Sequence, residues 1–342
     1  MNLKFFKKLD QAEELHKLIC EIIEKVNGDD SISRLEKAYI RLLVKTWNER
    51  ATSANKKAVA SFPKNTTAFT TVDANKVLKR LDTGFKGIDK QLKSDVQKYS
   101  EAVYREEKKN FANRFKLKRP QDKEKSVLKE DVPEIGVAFD LTDEALVAEI
   151  ARIETISIGN HFPSNVKPAV GKTLEKGIEQ GLNKKQMGEL LKKELTAKVG
   201  GDAFKAVPPS VAAQGKNSVN AYFDGLASTN TTLARNASHI NAMNQAGVTR
   251  LVFSAVMDNR TSQICSQLNG RVFTIEQANN HLNTILESED VDDLKTNSKW
   301  YKSVDEIPGN TSGARVSSAD LANAGVLVPP LHFRCRSELL PA

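Results

Sequence analysis

The sequence predicts an α+β protein with mainly α-helical N-terminal and middle regions and a small α+β domain at the C-terminal end. Along most of the chain, apolar residues recur every three or four positions, which is the spacing of a buried helix face. Over residues 251–257 the repeat shortens to two, as in a β-strand. Two short polar stretches, 258–270 and 329–337, follow that strand and indicate the domain's chemistry.

Changes in composition divide the chain into four regions and one insert. They are a helical hairpin at 1–50, a basic helical and linker region at 51–130, a helical region at 131–200, and a C-terminal α+β domain at 201–342 with an insert at 274–328. In the hairpin, two apolar stripes flank the helix stop signal Asn27-Gly28. Cys20 lies in the first stripe, so we expect a thiol packed in the hairpin core.

The second region contains a linker followed by a long helix. Residues 51–72 are rich in Ala, Ser and Thr and are interrupted by Pro63, which favours irregular structure. From Asp73 to Phe115 the helical spacing returns, and Gly84 and Gly87 predict a bend or a split in that helix.

Positive charge is concentrated in the same region. Residues 51–130 carry 20 basic and 10 acidic side chains, whereas the whole chain has a net charge of +8. Such an excess attracts a polyanion, although a solvated helix face or a flexible tether would have the same composition. Six cations in the densest stretch are candidate nucleic-acid contacts: Lys108, Lys109, Arg114, Lys116, Lys118 and Arg119. Phe111 and Phe115 among them are four residues apart, which favours packing on one helix face over base stacking.

Further helices are predicted downstream. One begins at Thr142-Asp143-Glu144 and ends near His161 and Pro163, and two more follow at 168–180 and 184–198 on either side of a turn at Gly181. Residues 199–217 separate them from the C-terminal domain. A long helix then covers 217–246, and Asn230 interrupts its apolar stripe, so a hydrogen-bonding partner is expected there.

The two polar stretches bring together residues that suit a metal ion. The strand at 251–257 leads to Asp258, and Thr261 or Ser262 caps a short helix that carries Cys265. The second stretch contains His332 and Cys335. Two thiolates and an imidazole are ligands that zinc prefers, and Asp258 is the nearby candidate for a fourth. The alternative is that both cysteines are packed small residues and that His332 is hydrogen-bonded.

Charged residues in these stretches predict a structural clamp. Asp258 and Arg260 can pair, and a bidentate bridge from Asp258 to Arg334 or Arg336 would hold the C-terminal strand on the core. Catalysis would need a nucleophile beside a base. Cys265 with His332 is the conceivable pair, but no third positioned member is evident, so we expect no enzyme. His281, in the insert, is expected to face solvent.

The motif D-x-R-T-x-x-x-C-x-x-L-x-G-x-x-F, followed by P-P-x-H-F-x-C-R-S, resembles the phage Mu F-like family of head morphogenesis proteins. The resemblance is close from about Ala221 onward and extends back to about Asp140. It implies a minor head (capsid) protein of a tailed phage or prophage, located in the virion, with portal and capsid proteins as partners and packaged DNA as a further contact. The family commonly has Arg-Thr-Glu where this chain has Ser228-Thr229-Asn230. Many members also have extra cysteines, for which Gln263 and Ser337 stand here.

Composition sets the remaining expectations. Three cysteines are too few for a secreted disulfide scaffold, and no apolar run is long enough for a membrane span or a signal peptide. We therefore expect a protein made in the host cytoplasm that contacts no membrane. Two alternatives remain from the sequence: a stand-alone nucleic-acid-binding protein, and an enzymatic or toxin effector carried on this C-terminal domain.

Overall fold

The computed structural model describes residues 29–60, 70–117, 139–182, 184–196, 219–308 and 316–342. Several predictions lie outside these residues. They are the first hairpin helix with Cys20, the linker at 61–69, the candidate contacts Lys118 and Arg119, and the separator at 199–217. The outcomes below concern the described residues.

Helices account for most of the described chain. They are α1 (Asp29–Ala60), α2 (Thr71–Phe85), α3 (Ile88–Phe115), α4 (Leu141–His161), α5 (Lys167–Glu179), α6 (Lys184–Thr196), α7 (Val219–Gln245), α8 (Gln263–Leu268), α9 (Ile275–Leu286), α10 (Val291–Asn297) and α11 (Ser318–Asn323). The strands are β1 (Arg250–Ser254), β2 (Val272–Thr274) and β3 (Glu338–Pro341). The α+β class is therefore confirmed.

The chain forms two compact units, and neither is continuous in sequence. The described parts of the first are 36–96, 154–196 and 219–227. The second contains 29–35, 97–117, 139–153 and the described residues from Ser228 onward. The second unit includes both polar stretches of the C-terminal domain.

Aromatic rings form the centre of the first unit. The Trp47 ring lies 4.5 Å from that of Phe85, and Phe85 stacks on Phe162 at 4.2 Å between centroids. All three side chains are buried. The predicted stripe of α1 is confirmed, since Leu35, Tyr39, Leu43 and Trp47 are each fully buried. The Tyr39 hydroxyl donates to Glu154 at 2.8 Å.

Residues 51–60 are helical, so the prediction of irregular structure was wrong there. They are the last turns of α1, and Ala51, Ala54 and Ala58 are buried. A Cβ on Gly84 would lie 2.4 Å from Ala54 Cβ, so the backbones approach too closely for larger residues. Alanine is the best helix former, and its small side chain permits this contact. A composition that indicated a linker thus encodes close helix packing.

The predicted split of the long helix is confirmed between α2 and α3. Gly87 has φ +82°, a left-handed conformation that ends α2 before α3 begins.

Helix α4 ends at His161 as predicted, but the chain remains helical through Pro163. A π-helical turn, Phe162–Val166, connects α4 directly to α5. Pro168 occupies the first turn of α5, where a missing N–H costs nothing.

The second unit contains one antiparallel sheet with strand order β2-β1-β3. Leu251 pairs with Phe273, and Phe253 pairs with Leu339, and all four side chains are buried. The C-terminal strand β3 therefore lies beside β1, which is the strand that leads to Asp258.

Two predictions about polar residues have opposite outcomes. Asn230 is buried on α7 and donates to the Ser100 hydroxyl at 3.2 Å, which confirms the expected partner. His281 does not face solvent. It is buried on α9, its Nδ1 accepts from the Val328 backbone N–H at 3.0 Å, and burial lowers its pKa to about 4.

Candidate functional site

The first polar stretch places Cys265 on the short helix α8. Ser262 is the N-cap, and its hydroxyl accepts from the Cys265 backbone N–H at 3.3 Å. Ile264 and Leu268, four residues apart on the same face of the helix, are buried and fix its orientation. Cys265 is also buried, so its thiol points into the protein.

The second stretch runs back along α7 and brings His332 and Cys335 to the same place. The Cys265 Sγ lies 3.3 Å from His332 Nε2 and 3.7 Å from Cys335 Sγ. All three ligand atoms lie within 4.8 Å of one another. We call these three residues the thiol cluster. The two polar stretches therefore meet, as the sequence predicts.

A backbone carbonyl sets the orientation of the His332 ring. Its Nδ1 lies 3.0 Å from the Phe333 carbonyl oxygen, which can only accept, so Nδ1 carries a proton. The other ring nitrogen, Nε2, faces Cys265. Metal-binding histidines in proteins commonly have this arrangement, with one nitrogen held by a carbonyl and the other directed to the ion.

Protons are shared unequally within the thiol cluster. The pKa of Cys335 is held well below its usual value because Cys265 donates a hydrogen bond to it and His332 adds to this effect, which together outweigh burial. The pKa of Cys265 is raised by the neighbouring Cys335 and by burial. Burial lowers the pKa of His332, but the interaction with Cys335 outweighs it and raises that pKa.

Polar residues of α7 hold the second stretch in place. The Thr232 hydroxyl donates to the Cys335 carbonyl at 2.5 Å. Asn236 is fully buried; its amide donates to the Ser337 carbonyl at 3.1 Å, and its oxygen accepts from the Leu339 N–H at 2.8 Å. The Thr229 hydroxyl accepts from the Arg334 N–H at 3.3 Å. These contacts of Thr229, Thr232 and Asn236 were not predicted from the sequence.

The predicted clamp forms between Asp258 and Arg336. Two guanidinium nitrogens of Arg336 lie 2.9 and 2.7 Å from the two Asp258 oxygens, and Arg260 lies 3.4 Å away. Arg336 lowers the pKa of Asp258. Of the two arginines considered, Arg336 is the partner, while Arg334 meets Thr229 through its backbone.

Asp258 does not join the thiol cluster, so the expectation that it supplies a fourth metal ligand was wrong. Both of its oxygens are engaged by Arg336, and among the described residues the candidate metal-binding group consists of Cys265, His332 and Cys335. A bidentate pair uses both carboxylate oxygens in charge-assisted hydrogen bonds, so binding a nearby cation would require breaking them.

The second unit also contains a buried charged cluster around Asp143. Lys108 Nζ lies 2.5 Å from Asp143 Oδ2, and Tyr104 donates to Oδ1 at 2.6 Å. Asn241 donates to Oδ1 at 2.5 Å. Burial raises the pKa of Asp143, but these donors outweigh it and the net shift is downward. We call these four residues the Asp143 cluster.

Lys108 therefore cannot contact nucleic acid as predicted, because it is 3% exposed and paired inside the protein. The other described candidates, Lys109, Arg114 and Lys116, are exposed. Arg114 lies 3.5 Å from Glu338. Phe111 is buried and stacks on His239 at 3.8 Å, in agreement with the preferred packing role.

Exposed charge along α2 and α3 is more one-sided than the composition indicates. Ten cations between residues 70 and 117 are exposed: Lys76, Lys79, Arg80, Lys86, Lys90, Lys93, Lys98, Lys109, Arg114 and Lys116. None of the seven acidic residues in the same described range is exposed.

In the part of the chain that the structure describes, no helix has the length and apolarity to cross a membrane.

Comparison with known proteins gives one match. A family model described as Phage Mu protein F like protein matches residues 169–340, which is 172 of the 342 residues and includes the whole thiol cluster. No curated protein and no solved structure matches the chain. The family is one of structural phage proteins and is not typically enzymatic.

Proposed function

Because the chain belongs to the Phage Mu protein F-like family, we propose that it is a minor head protein of a tailed phage or prophage, assembled into the virion near the portal. Family membership indicates a role in phage head morphogenesis. The match to residues 169–340 is the observation that carries the proposal. It covers β1, α8 and the returning C-terminal segment, so the match includes both polar stretches and the strand that leads to the first of them.

Mass spectrometry of particles purified from an induced lysate tests this proposal. We expect the chain in sedimented heads, at a lower molar amount than the major capsid protein, and cross-linked to portal or capsid subunits. A strain that lacks the gene should assemble defective heads, and the intact gene should restore them. Finding the chain only in the unsedimented fraction, with normal heads in its absence, would refute the proposal.

The exposed cations of α2 and α3 support contact with packaged DNA. Exposed cations without exposed acidic neighbours raise the local positive potential, and each phosphate contact adds to the salt dependence of binding. In a gel-shift assay, a variant with Lys76, Lys79 and Arg80 changed to Gln should slow the migration of DNA less than the parent chain does. The matched control changes the exposed Lys172, Lys176 and Lys185 on α5 and α6 to Gln. Equal binding by both variants would contradict a site on α2.

A structural role fits the thiol cluster better than catalysis does. The thiol with the lowered pKa belongs to Cys335, which has no exposed surface for a substrate to reach. His332 is oriented by the Phe333 carbonyl and not by a carboxylate. The enzymatic alternative predicts an activity that Cys335→Ser abolishes while the fold is retained, and we propose that no such activity exists.

A further inference from the structure

We propose that Cys265, His332 and Cys335 bind one zinc ion that fastens the returning C-terminal segment to helix α8. The inference rests on the geometry of the thiol cluster and is independent of the proposed head function. Thiolate and imidazole ligands in a tetrahedral arrangement select zinc among the common divalent ions.

The distances between the ligand atoms fit a tetrahedral zinc site. With Zn–S bonds of about 2.3 Å and Zn–N bonds of about 2.0–2.1 Å, a tetrahedral ion separates two sulfurs by about 3.8 Å and a sulfur and a nitrogen by about 3.6 Å. The observed separations are 3.7 Å for Cys265 Sγ to Cys335 Sγ and 3.3 Å for Cys265 Sγ to His332 Nε2. Cys335 Sγ and His332 Nε2 lie within 4.8 Å of each other, so an ion can bind when the His332 ring moves toward Cys335 by up to about 1.2 Å.

The surroundings of the thiol cluster support the same function. The Phe333 carbonyl holds Nδ1 of His332, which leaves Nε2 directed at the sulfurs. Ser262 and Ser337 hydrogen bond to Cys265, and the Leu331 backbone hydrogen bonds to Cys335. Such supporting contacts orient ligands and stabilise thiolate charge.

Three protein ligands leave one tetrahedral position. Ser337 is buried and its side chain interacts with that of Cys265, so a ligand atom at residue 337 would face the cluster. A thiol there would complete a Cys₃His set, so Ser337→Cys should bind zinc more tightly than the parent chain.

Two rival chemistries are open to the same atoms. One is a disulfide between Cys265 and Cys335, which requires the loss of two electrons to an oxidant. The other is a permanent thiolate–imidazolium pair without metal. Zinc binding displaces the remaining thiol protons and needs no electron transfer. Each alternative gives a different outcome in the experiment below.

The experiment uses the full chain, purified without a polyhistidine tag under reducing conditions and dialysed against zinc. Elemental analysis should find nearly stoichiometric zinc, and X-ray absorption at the zinc edge should show two sulfur neighbours at about 2.3 Å and one histidine nitrogen. This second measurement needs no variant, so it is decisive even if a substituted chain fails to fold. Oxygen or nitrogen neighbours alone would overturn the site.

Variants then locate the ion. Cys265→Ser and His332→Gln should each weaken zinc binding by at least about 100-fold, the upper end of the loss that a removed supporting residue causes. The controls are Cys20→Ser, which removes the remaining cysteine of the chain, and His281→Gln, which removes a buried histidine of the same unit. We expect both controls to retain zinc. Stoichiometric zinc in both cluster variants would overturn the proposal, as would a folded parent chain that takes up none. A Cys265–Cys335 disulfide in the reduced preparation would favour the redox alternative.

Discussion

The Asp143 cluster and the thiol cluster are both buried in the second unit, but they differ in how their charge is balanced. In the Asp143 cluster the carboxylate faces a cation of the chain, Lys108, and accepts from Tyr104 and Asn241. In the thiol cluster, three electron-pair donors face one another, and their hydrogen bonds share protons among themselves.

The difference separates a structural cluster from a ligand-binding one. Buried charges are stable when they are paired and hydrogen-bonded within the protein, and the Asp143 cluster satisfies this condition with side chains alone. Donors that converge on one point acquire a partner when a cation binds among them. We therefore expect substitutions in the Asp143 cluster to change only stability, and those in the thiol cluster to change stability in a zinc-dependent way.

The largest effect is expected from Lys108→Ala. Removing one partner of a buried ion pair leaves the other charge unpaired, which costs about 3–5 kcal/mol. On the same helix, Lys98→Ala removes the same charge from an exposed position and should change stability by less than about 0.5 kcal/mol. Urea unfolding of both variants measures the contrast, and equal midpoints would contradict the assigned burial of Lys108.

The same cluster predicts a dependence on acid. The folded-state pKa of Asp143 is lowered, so its contribution is fully present above the unfolded-state value of about 3.9 and is lost as pH falls through the lower folded value. The stability difference between the parent chain and Asp143→Asn should therefore shrink in this acid range. A difference that grew on acidification would reverse the sign of the assigned shift.

Zinc should stabilise the parent chain by the next largest amount. An ion that binds only the folded state at 100 times its dissociation constant adds about 2.7 kcal/mol. Thermal unfolding with zinc and with a chelator should therefore differ for the parent chain and for Lys98→Ala, but not for Cys265→Ser. A chelator shift that persisted in Cys265→Ser would place the ion elsewhere.

Asn236→Ala tests the contacts that hold the returning segment. The substitution leaves the buried Ser337 carbonyl and Leu339 N–H without their side-chain partner, which costs about 1–3 kcal/mol. Asn244 lies on the same helix but is exposed and pairs with Asn279 at the surface, so Asn244→Ala should cost less than about 0.5 kcal/mol. Chemical unfolding compares the two, and a neutral Asn236→Ala would show that these contacts contribute nothing net.

The smallest effect is expected from Arg336→Ala, which breaks the exposed clamp to Asp258. Its cost should decrease as salt is added, because screening weakens ion pairs near the surface. Unfolding midpoints at low and high ionic strength measure this, and a cost that does not change with salt would contradict an electrostatic clamp.

The sequence predicted the parts of the fold that follow from periodicity. Apolar stripes identified the helices and β1, and a polar residue in the stripe of α7 predicted the partner of Asn230. The same reasoning would have found Asn236, which lies three residues after Leu233 and four before Ile240, both buried.

Other features could not be read from local sequence because distant residues determine them. Lys108 resembles its exposed neighbours, and only the approach of Asp143 on α4 makes it a buried partner. Residues 51–60 have a linker composition, but Gly84 provides the space that lets their alanines pack as a helix. His281 is buried, and its hydrogen-bond donor is the backbone N–H of Val328, 47 positions later in the chain.

The return of the C-terminal segment to α8 is the central claim. Mild oxidation of the folded chain, after a chelator has removed any metal, tests it most directly. The two sulfurs of Cys265 and Cys335 lie 3.7 Å apart, so peptide mapping by mass spectrometry should find these residues joined by a disulfide, with Cys20 left free. Resistance of the pair to linkage, or preferential linkage of either residue to Cys20, would contradict the account.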